Sequence, residues 1–258
     1  MKISILTLFP EMFESVFSSS IINRAITNNH VEIELINFRD FSDSKHGQVD
    51  DTPYGGGSGM VIKCQPIIDA LNSIKTKDSY VILTAPVGKL YKQETARKLM
   101  VKKHIIIICG HYEGIDARVY KYCDEIISIG DYILTGGELA AMVISDSLIR
   151  LVEGVIDEDS IKDESFEQGL LEHNHYTKPR DYNGDLVPEV LLSGHHENIR
   201  KYRLKESLRL TKLYRPDLLE NREYTKEELD LLKKIEDWFK FINMLLSLGA
   251  YRISTPLI

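Results

Sequence analysis

The segment His104–Cys109 (HIIIIC) limits more strongly than any other what this chain can fold into. Its four consecutive isoleucines leave no polar face, so a strand formed here has to be covered by apolar side chains on both faces. Shorter apolar runs occur at 2–9, 31–36, 80–84 and 125–129. Helical patterns separate these runs at 10–27, 66–74, 91–100, 116–122 and 137–149. This alternation predicts an α/β layer whose sheet is largely parallel.

The character of the chain changes after residue 156. Residues 157–186 are polar, acidic and poorly periodic, which is typical of a linker or an active-site loop. Two helical stretches follow at about 195–213 and 226–246. We therefore expect three parts: an α/β domain over 1–156, a flexible linker or active-site loop over 157–186, and a small helical domain over 187–258.

Composition excludes several classes of protein. The net charge of −7 argues against a protein that coats nucleic acid indiscriminately, although it says little about a local basic patch. The three cysteines show no CxxC spacing, which argues against a disulfide framework or a metal site and fits a reducing cytoplasm. No apolar stretch is long enough to span a membrane.

Glycine clusters follow the predicted strands, most visibly in SIGDYILTGGE at 128–138. Ligands of open α/β sheets bind at the carboxyl ends of strands, and glycine lets a ligand approach the main chain closely. A plain turn explains any single cluster equally well. Neither GxGxxG after the first strand nor GxxxxGK[ST] occurs, so the ordinary dinucleotide and P-loop sites are not indicated. An adenosine with an amino-acid tail, held by main-chain groups, fits better.

Five long motifs, in the same order, resemble those of the bacterial tRNA (guanine-N1-)-methyltransferases of the SPOUT superfamily. They are KHGQVDDTPYGGGSGM (45–60), CGHYEGIDARV (109–119), SIGDYILTGGELAAM (128–142), GLLEHNHYTKP (169–179) and VPEVLLSGHHENIRKYR (187–203). The resemblance implies a SPOUT-type parallel sheet with a deep C-terminal trefoil knot, plus a small α-helical C-terminal domain. It further implies a cytoplasmic homodimer with active sites at the subunit interface and no membrane association.

The resemblance also implies a reaction. S-Adenosylmethionine would supply a methyl group to N1 of the guanine at tRNA position 37, next to the anticodon, in a reaction that depends on magnesium held by unknown ligands. Carried over by position, the cofactor-binding residues would be Ala85, Pro86, Gly110, Tyr112, Glu113, Ser128, Ile129, Gly130, Asp131, Tyr132, Ile133, Leu134, Gly136 and Gly137.

Methylation at guanine N1 needs a base for the N1 proton and a positive partner for charge developing on O6. The resemblance places Arg150 at the guanine-stabilising position and the base in the loop containing Asp163 and Glu164. Relatives carry aspartate directly before Ser-Phe, where this chain has Glu164. We expect Glu164 to be the base, with Asp163 as the alternative. Without the resemblance, two solvated acids in an acidic linker would be the default interpretation.

Other departures from the family pattern keep a second function open, a catalytically weakened or inactive tRNA-binding homologue. Several remove arginine, the side chain best suited to bidentate phosphate contacts. The departures are Thr52, His111 and Lys178 in place of arginine, Val87 in place of glutamine, and His173-Asn174 in place of Cys-Pro.

Two segments are candidates for contact with RNA. In the glycine-rich loop, the resemblance implies that Asp50, Gly55, Gly56 and Gly57 help to hold the target guanine and its neighbour; a surface loop without contacts is the alternative. In the helical domain, a basic row falls along one helix face and would track a phosphate backbone, although a solvated surface face explains it too. That row consists of Lys201, Lys205, Arg209 and Lys212.

Overall fold

The computed structural model describes residues 1–157, 160–161, 164–220 and 222–247. Contacts divide the chain into two compact units, Met1–Ile161 and Lys162–Ile258. The first unit is built on a five-stranded sheet whose strands are all parallel, in the order β2-β1-β6-β5-β7. The strands are β1 (Lys2–Thr7), β2 (Glu32–Asn37), β5 (Ser79–Leu90), β6 (His104–Cys109) and β7 (Glu125–Ser128), and a small antiparallel pair is formed by β3 (Asp50–Asp51) and β4 (Val61–Ile62).

Strand β6 joins the two cores of this unit. All six of its residues are buried. Ile105 and Ile107 enter the core on one face of the sheet, whereas Ile106 and Ile108 enter the core on the other face. Each buried isoleucine contributes about 1.5–3 kcal/mol relative to exposure. The expected parallel sheet and doubly covered central strand are therefore confirmed.

Helices cover both faces of the sheet. The core containing Ile105 also contains residues of α2, α4 and α5, and the core containing Ile106 contains residues of α3. The helices of this unit are α1 (Glu14–Phe17), α2 (Ser20–Thr27), α3 (Cys64–Ile74), α4 (Gln93–Leu99) and α5 (Glu138–Ile149), with 3-10 turns at Pro10–Phe13, Phe38–Phe41 and Ala117–Tyr122.

Two elements of the first unit differ from expectation. The helix expected over 10–27 is broken between α1 and α2, where Ser20 has a positive φ of 53°. The strand expected over 80–84 continues to Leu90, and its register against β7 shifts between Thr84 and Lys89. Periodicity shows neither feature, because both depend on one local backbone adjustment.

The second unit contains an antiparallel hairpin of β8 (Asp181–Tyr182) and β9 (Asp185–Leu186). Asn183 and Gly184 form its turn with φ values of 55° and 96°, as the Asn-Gly pair favours. This hairpin lies within the expected linker and was not predicted from the sequence. Its helices are α6 (Glu189–Leu192), α7 (His196–Tyr214) and α8 (Lys226–Ser247), with a 3-10 turn at Pro216–Leu219.

A small core holds the second unit together. Leu170, from the loop before the hairpin, packs with Leu208 of α7 and Ile235 of α8. The expected three-part division, with its separate roles, stays a prediction. Searching the described parts of the chain for a helix long and apolar enough to cross a bilayer finds none.

His104 lies buried at the amino end of β6 in a hydrogen-bonded chain. Its Nε2 is 2.9 Å from the Ser4 hydroxyl and its Nδ1 is 2.8 Å from the Ser79 hydroxyl, while Ser4 donates to Glu34 at 2.8 Å. Because Ser4 gives its proton to Glu34, it accepts from Nε2–H, which leaves Nδ1 as an acceptor for Ser79. Burial, with the nearby Lys2 charge, lowers the pKa of His104 below its usual 6.5, although Glu34 and Glu32 oppose the shift.

Replacing His104 with glutamine should make the free energy of unfolding depend less steeply on pH below neutrality. Because the folded-state pKa is depressed, the unfolded chain binds a proton first as the pH falls below 6.5, and the native chain loses stability from there downward. Urea unfolding of the native chain and His104→Gln between about pH 5 and 7.5 measures the difference in slope. His46 is exposed, so the variant His46→Gln is the control and should show the same change of unfolding free energy with pH as the native chain. The same change with pH in His104→Gln as in the native chain would contradict the prediction.

Candidate functional site

Three loops enclose one cavity at the carboxyl edge of the sheet. They are the irregular stretch 85–87 inside β5, the turn after β6 and the loop after β7. These three strands are neighbours in the sheet, and the cavity measures about 440 Å³. That volume lies within the range of small-molecule sites. The register shift in β5 turns Ala85 and Pro86 toward this cavity rather than into a regular strand pair.

Most residues predicted to bind the cofactor line this cavity. Asp131 does not; it is exposed between Gly130 and Tyr132. The predicted residues that do line it are Ala85, Pro86, Gly110, Tyr112, Glu113, Ser128, Ile129, Gly130, Tyr132, Ile133, Leu134, Gly136 and Gly137.

Ten further lining residues were not assigned from the sequence. Some are strand ends or lie in loops already implicated, so the rule that ligands bind at carboxyl ends of strands would have found them. Tyr120 and Ala140 come from the following 3-10 turn and from α5, and no local signal marks them. The ten are Leu83, Thr84, Val87, His111, Gly114, Ile115, Tyr120, Ile127, Thr135 and Ala140.

Gly137 lets two of the loops touch through their backbones. Its amide donates to the Gly110 carbonyl at 2.7 Å. A Cβ at Gly137 would lie 2.9 Å from the Cα of Cys109 and 3.0 Å from the Gly110 nitrogen, closer than real side chains approach backbone. The glycine is therefore required by proximity, since its φ of −82° is open to any residue.

A buried carboxylate lies directly behind this contact. Glu138, 1% exposed, begins α5 and accepts a hydrogen bond from Thr7 of β1 at 2.9 Å. Its other oxygen is 3.9 Å from Nδ1 of His111, which is buried and has no hydrogen-bond partner among the described residues. The N-terminal position favours the negative charge, because the helix dipole is positive there. Glu138 thus connects β1 and α5 beside the cavity wall.

The cysteine nearest the cavity is not set up as a nucleophile. Cys109 ends β6 at the cavity, but burial, with the charge of Glu138, raises the pKa of its thiol well above the ordinary value. A thiol in such surroundings stays protonated and is inert.

The glycine-rich loop is attached to the same edge. The Glu113 amide donates to the Met60 carbonyl at 3.0 Å, and the Ile62 amide donates to the Gly114 carbonyl at 2.9 Å. The C-terminal end of the loop between β3 and β4 therefore lies beside the turn after β6. At its tip Gly55, Gly56 and Gly57 are exposed with φ values of 90°, 78° and 131°, a region that favours glycine.

Arg150 lies far from the cavity of its own chain. It is the C-terminal residue that caps α5, whereas Gly137 and Ala140 at the other end of α5 line the cavity. Ten residues separate Ala140 from Arg150, which is about 15 Å along the helix axis and more than an arginine side chain spans. Within one chain, then, Arg150 and the predicted cofactor residues do not come together.

The candidate bases belong to the second unit. Glu164 begins a compact loop and is partly buried, and the Glu167 amide donates to its carbonyl oxygen at 3.2 Å. Asp163 lies outside the described residues. In the described parts of the chain, no group of three or more histidine, cysteine, aspartate or glutamate residues is placed to hold a metal ion.

Ion pairs occupy most of the basic row on α7. Lys201 pairs with Glu197 at 3.3 Å, Arg209 with Glu206 at 2.8 Å, and Lys212 with Glu236 of α8 at 2.6 Å. For Lys205, which is exposed, no ion pair is found among the described residues. The positive potential of this face is lower than the sequence of α7 alone indicates.

Comparisons with known proteins point in one direction. The model of a family described as "tRNA (Guanine-1)-methyltransferase TrmD" matches residues 1–221. A protein of Dictyoglomus turgidum named tRNA (guanine-N(1)-)-methyltransferase is 53% identical over 237 residues, 92% of this chain and 97% of its own length. Proteins with the same name from Clostridium perfringens and Clostridium botulinum are 54% and 55% identical, over 90% of this chain and 99% and 98% of theirs.

Alanine should lower the free energy of unfolding at Gly137 and leave it nearly unchanged at Gly110. Gly137→Ala forces a Cβ against backbone atoms and should lower the free energy of unfolding by about 1–3 kcal/mol, as overpacking does. Gly110→Ala places its Cβ 3.5 Å from the Ile115 side chain, an ordinary contact, and should change stability by less than about 1 kcal/mol. Urea unfolding at neutral pH measures both, and equal stabilities would contradict the proximity argument.

Proposed function

This chain belongs to the tRNA (guanine-1)-methyltransferase TrmD family, and we propose that it transfers a methyl group from S-adenosylmethionine to N1 of the guanine at tRNA position 37. The family match over residues 1–221 carries this proposal. No observation favours the alternative of an inactive tRNA-binding homologue. The cavity between the three loops supports an active enzyme, because a protein that only binds RNA needs no such cavity.

The cavity fits S-adenosylmethionine in both size and lining. Backbone from the three loops and the side chains of Ile129, Leu134 and Pro86 surround it, so amide and carbonyl groups would hold the adenosine and apolar groups would cover it. When bound, the cofactor supplies an electrophilic methyl group on its sulfonium. Asp131 lies outside the lining, so it would act on the bound cofactor only through the charge of its carboxylate.

Glu164 is the proposed general base. Its carboxylate would take the proton from guanine N1, and the loop that carries it belongs to the second unit, whereas the cavity belongs to the first. Asp163 remains the alternative base, since it is one residue away and also carries a carboxyl group.

Arg150 would stabilise negative charge on O6 in a second copy of the chain. Along α5, Arg150 is about 15 Å from Ala140, the nearest residue of this helix that lines its own cavity. A homodimer resolves this, because the arginine of one subunit would then serve the cavity of the other. Within a single chain, Arg150 is too far from the cavity to stabilise negative charge on the O6 atom of a guanine bound there.

An exposed apolar face on α5 supports the same homodimer. Leu139 and Val143, four residues apart on one face, are 46% and 48% exposed. Ile133, in the neighbouring loop, is 85% exposed. Side chains of this kind are buried when subunits pair. Sedimentation velocity of the native chain decides the point, and a monomer at micromolar concentration would contradict it.

Contacts with tRNA would come from both units. The loop between β3 and β4 would hold the target guanine and its neighbour, through Gly55, Gly56 and Gly57 at its tip and Asp50 at its base. Tyr54, which is exposed next to these glycines, offers a surface on which a base can stack. On α7, Lys205 is the member of the basic row best placed to contact phosphate, because the other three already have acidic partners.

Three finer expectations from the family remain proposals. The deep trefoil knot would pass through the segments that meet at the Gly110–Gly137 contact. Magnesium dependence has no ligand set among the described residues, so no catalytic step is derived through the metal. The cytoplasmic location rests on the cysteine pattern and on the substrate.

Methyl transfer from labelled S-adenosylmethionine to tRNA transcripts tests the function and its base. Transcripts with guanine at position 37 should be methylated and those with adenine should not. Glu164→Gln should slow transfer by about 10²–10⁴-fold, as loss of a general base does, whereas Asp163→Asn should be close to native. The reverse order would assign the base to Asp163. Absence of any heat on titrating the cofactor into the native chain would remove the support for an enzyme.

Lys205→Ala should weaken tRNA binding more than Lys212→Ala does. Because Lys205 would neutralise one phosphate, its replacement should lower the affinity and reduce the slope of log affinity against log salt by about one. Lys212 is already neutralised by Glu236, so its removal should change the slope less. Filter binding over a salt series measures both variants. Equal slopes for Lys205→Ala and the native chain would exclude Lys205 from the interface.

A further inference from the structure

The loop that follows Glu164 is a compact turn that contains two backbone hydrogen bonds of its own. The Phe166 amide donates to the Leu170 carbonyl at 2.8 Å, and the Gly169 amide donates to the Phe166 carbonyl at 3.3 Å. Phe166 has a φ of 74°, a conformation that is strained for a side chain of its size. Residues held in such conformations persist only where the surroundings impose them. Groups outside the loop must therefore fix its shape.

Two groups from α7 and its C-terminal end contact this loop. The Leu171 amide donates to the Thr211 hydroxyl at 2.8 Å. The guanidinium of Arg215, directly after α7, lies 5.6 Å from the centre of the Phe166 ring, within the range of a cation–π contact. These contacts attach the loop to the end of α7.

Arg222 provides a third attachment, from beyond residue 221, where the family match ends. One of its terminal nitrogens donates to the backbone carbonyl of Gln168, and the other donates to Glu228 at 2.7 Å. Only 18% of the Arg222 side chain and 7% of the Glu228 side chain are exposed. A charged hydrogen bond at this level of burial is stronger than one in water.

Glu228 has a second task at the start of α8. Its other oxygen accepts from the Thr225 amide at 2.7 Å, and the Thr225 hydroxyl accepts from the Glu228 amide at 3.2 Å. This reciprocal pair is a capping box. Burial alone would raise the pKa of Glu228, but the hydrogen bonds from Thr225 and Arg222 outweigh it and lower the pKa. The carboxylate is thus charged, and one residue both caps α8 and holds Arg222.

We propose that Arg222 is a positioning residue for methyl transfer: held by Glu228 at the capped end of α8, it fixes the Gln168 carbonyl and thereby the loop that carries Glu164. This inference rests on the proposed function. Arg222 touches neither substrate nor cofactor in this scheme and acts only through the loop. A displacement of about 1 Å at a catalytic group costs roughly 10²-fold in rate.

Single-turnover methylation at saturating cofactor and tRNA tests the inference, with two matched variants. Arg222→Ala should slow the step by about 10–100-fold, while the affinities for cofactor and tRNA change by less than about twofold. Thr225→Ala weakens the cap of α8 and leaves Arg222 in place. Arg200→Ala removes another arginine pair with the first turn of α8, that to Glu227, without touching the loop. Both should transfer methyl at close to the native rate.

Hydrogen exchange at the Phe166, Gly169 and Leu171 amides gives a readout that is independent of activity. Exchange should accelerate in Arg222→Ala and not in the two controls. Arg222→Lys keeps the charge beside Glu228 but lacks the planar fork that reaches two oxygens, so it should show a smaller loss of rate. This variant serves if Arg222→Ala does not fold.

These experiments distinguish a wrong role for Arg222 from a wrong proposed function. Native rates in both Arg222→Ala and Arg222→Lys would overturn the inference. So would an equal loss in Thr225→Ala or Arg200→Ala, because the effect would then be one of general stability. A native chain that transfers no methyl group would instead overturn the proposed function, and the exchange measurement would still report whether Arg222 orders the loop.

Discussion

The hydrogen bond from the Gly137 amide to the Gly110 carbonyl, at 2.7 Å, is the interaction on which the functional edge depends. It joins the turn after β6 to the loop after β7, and it exists only because Gly137 has no side chain in the way. The turn after β6 in turn holds the β3–β4 loop through the Met60 carbonyl. A bridge between His111 and Gly136 joins the same two segments, so the cavity wall, α5 and the turn that anchors the glycine-rich loop are held together at this point.

The cavity and the proposed base belong to different units. Strand β6, whose residues are all buried, ends at the turn that forms one wall of the cavity. The proposed base is carried by a loop whose shape comes from α7, Arg222 and the capped start of α8.

Most of the cavity could be predicted from the sequence, whereas one exposed residue and one hairpin could not or were not. Thirteen of the fourteen predicted cofactor residues line one cavity, since motifs and the strand-end rule both mark loops that lie together. Asp131 belongs to the same loop but lies outside the lining, which a motif cannot show. The Asn183-Gly184 hairpin was missed although its signal was present, because the polar stretch around it was interpreted as linker.

By itself, the sequence determined the order of strands and helices, the parallel sheet with β6 inside, and the family. These follow from local periodicity, apolar runs and motifs, all of which are contained in neighbouring residues. Tertiary structure alone decided that Arg150 lies at the far end of α5 from its own cavity, that Glu236 neutralises Lys212, and that Arg222 holds a carbonyl 54 residues away. Such facts depend on which distant side chains meet on packing, and no local pattern encodes those meetings.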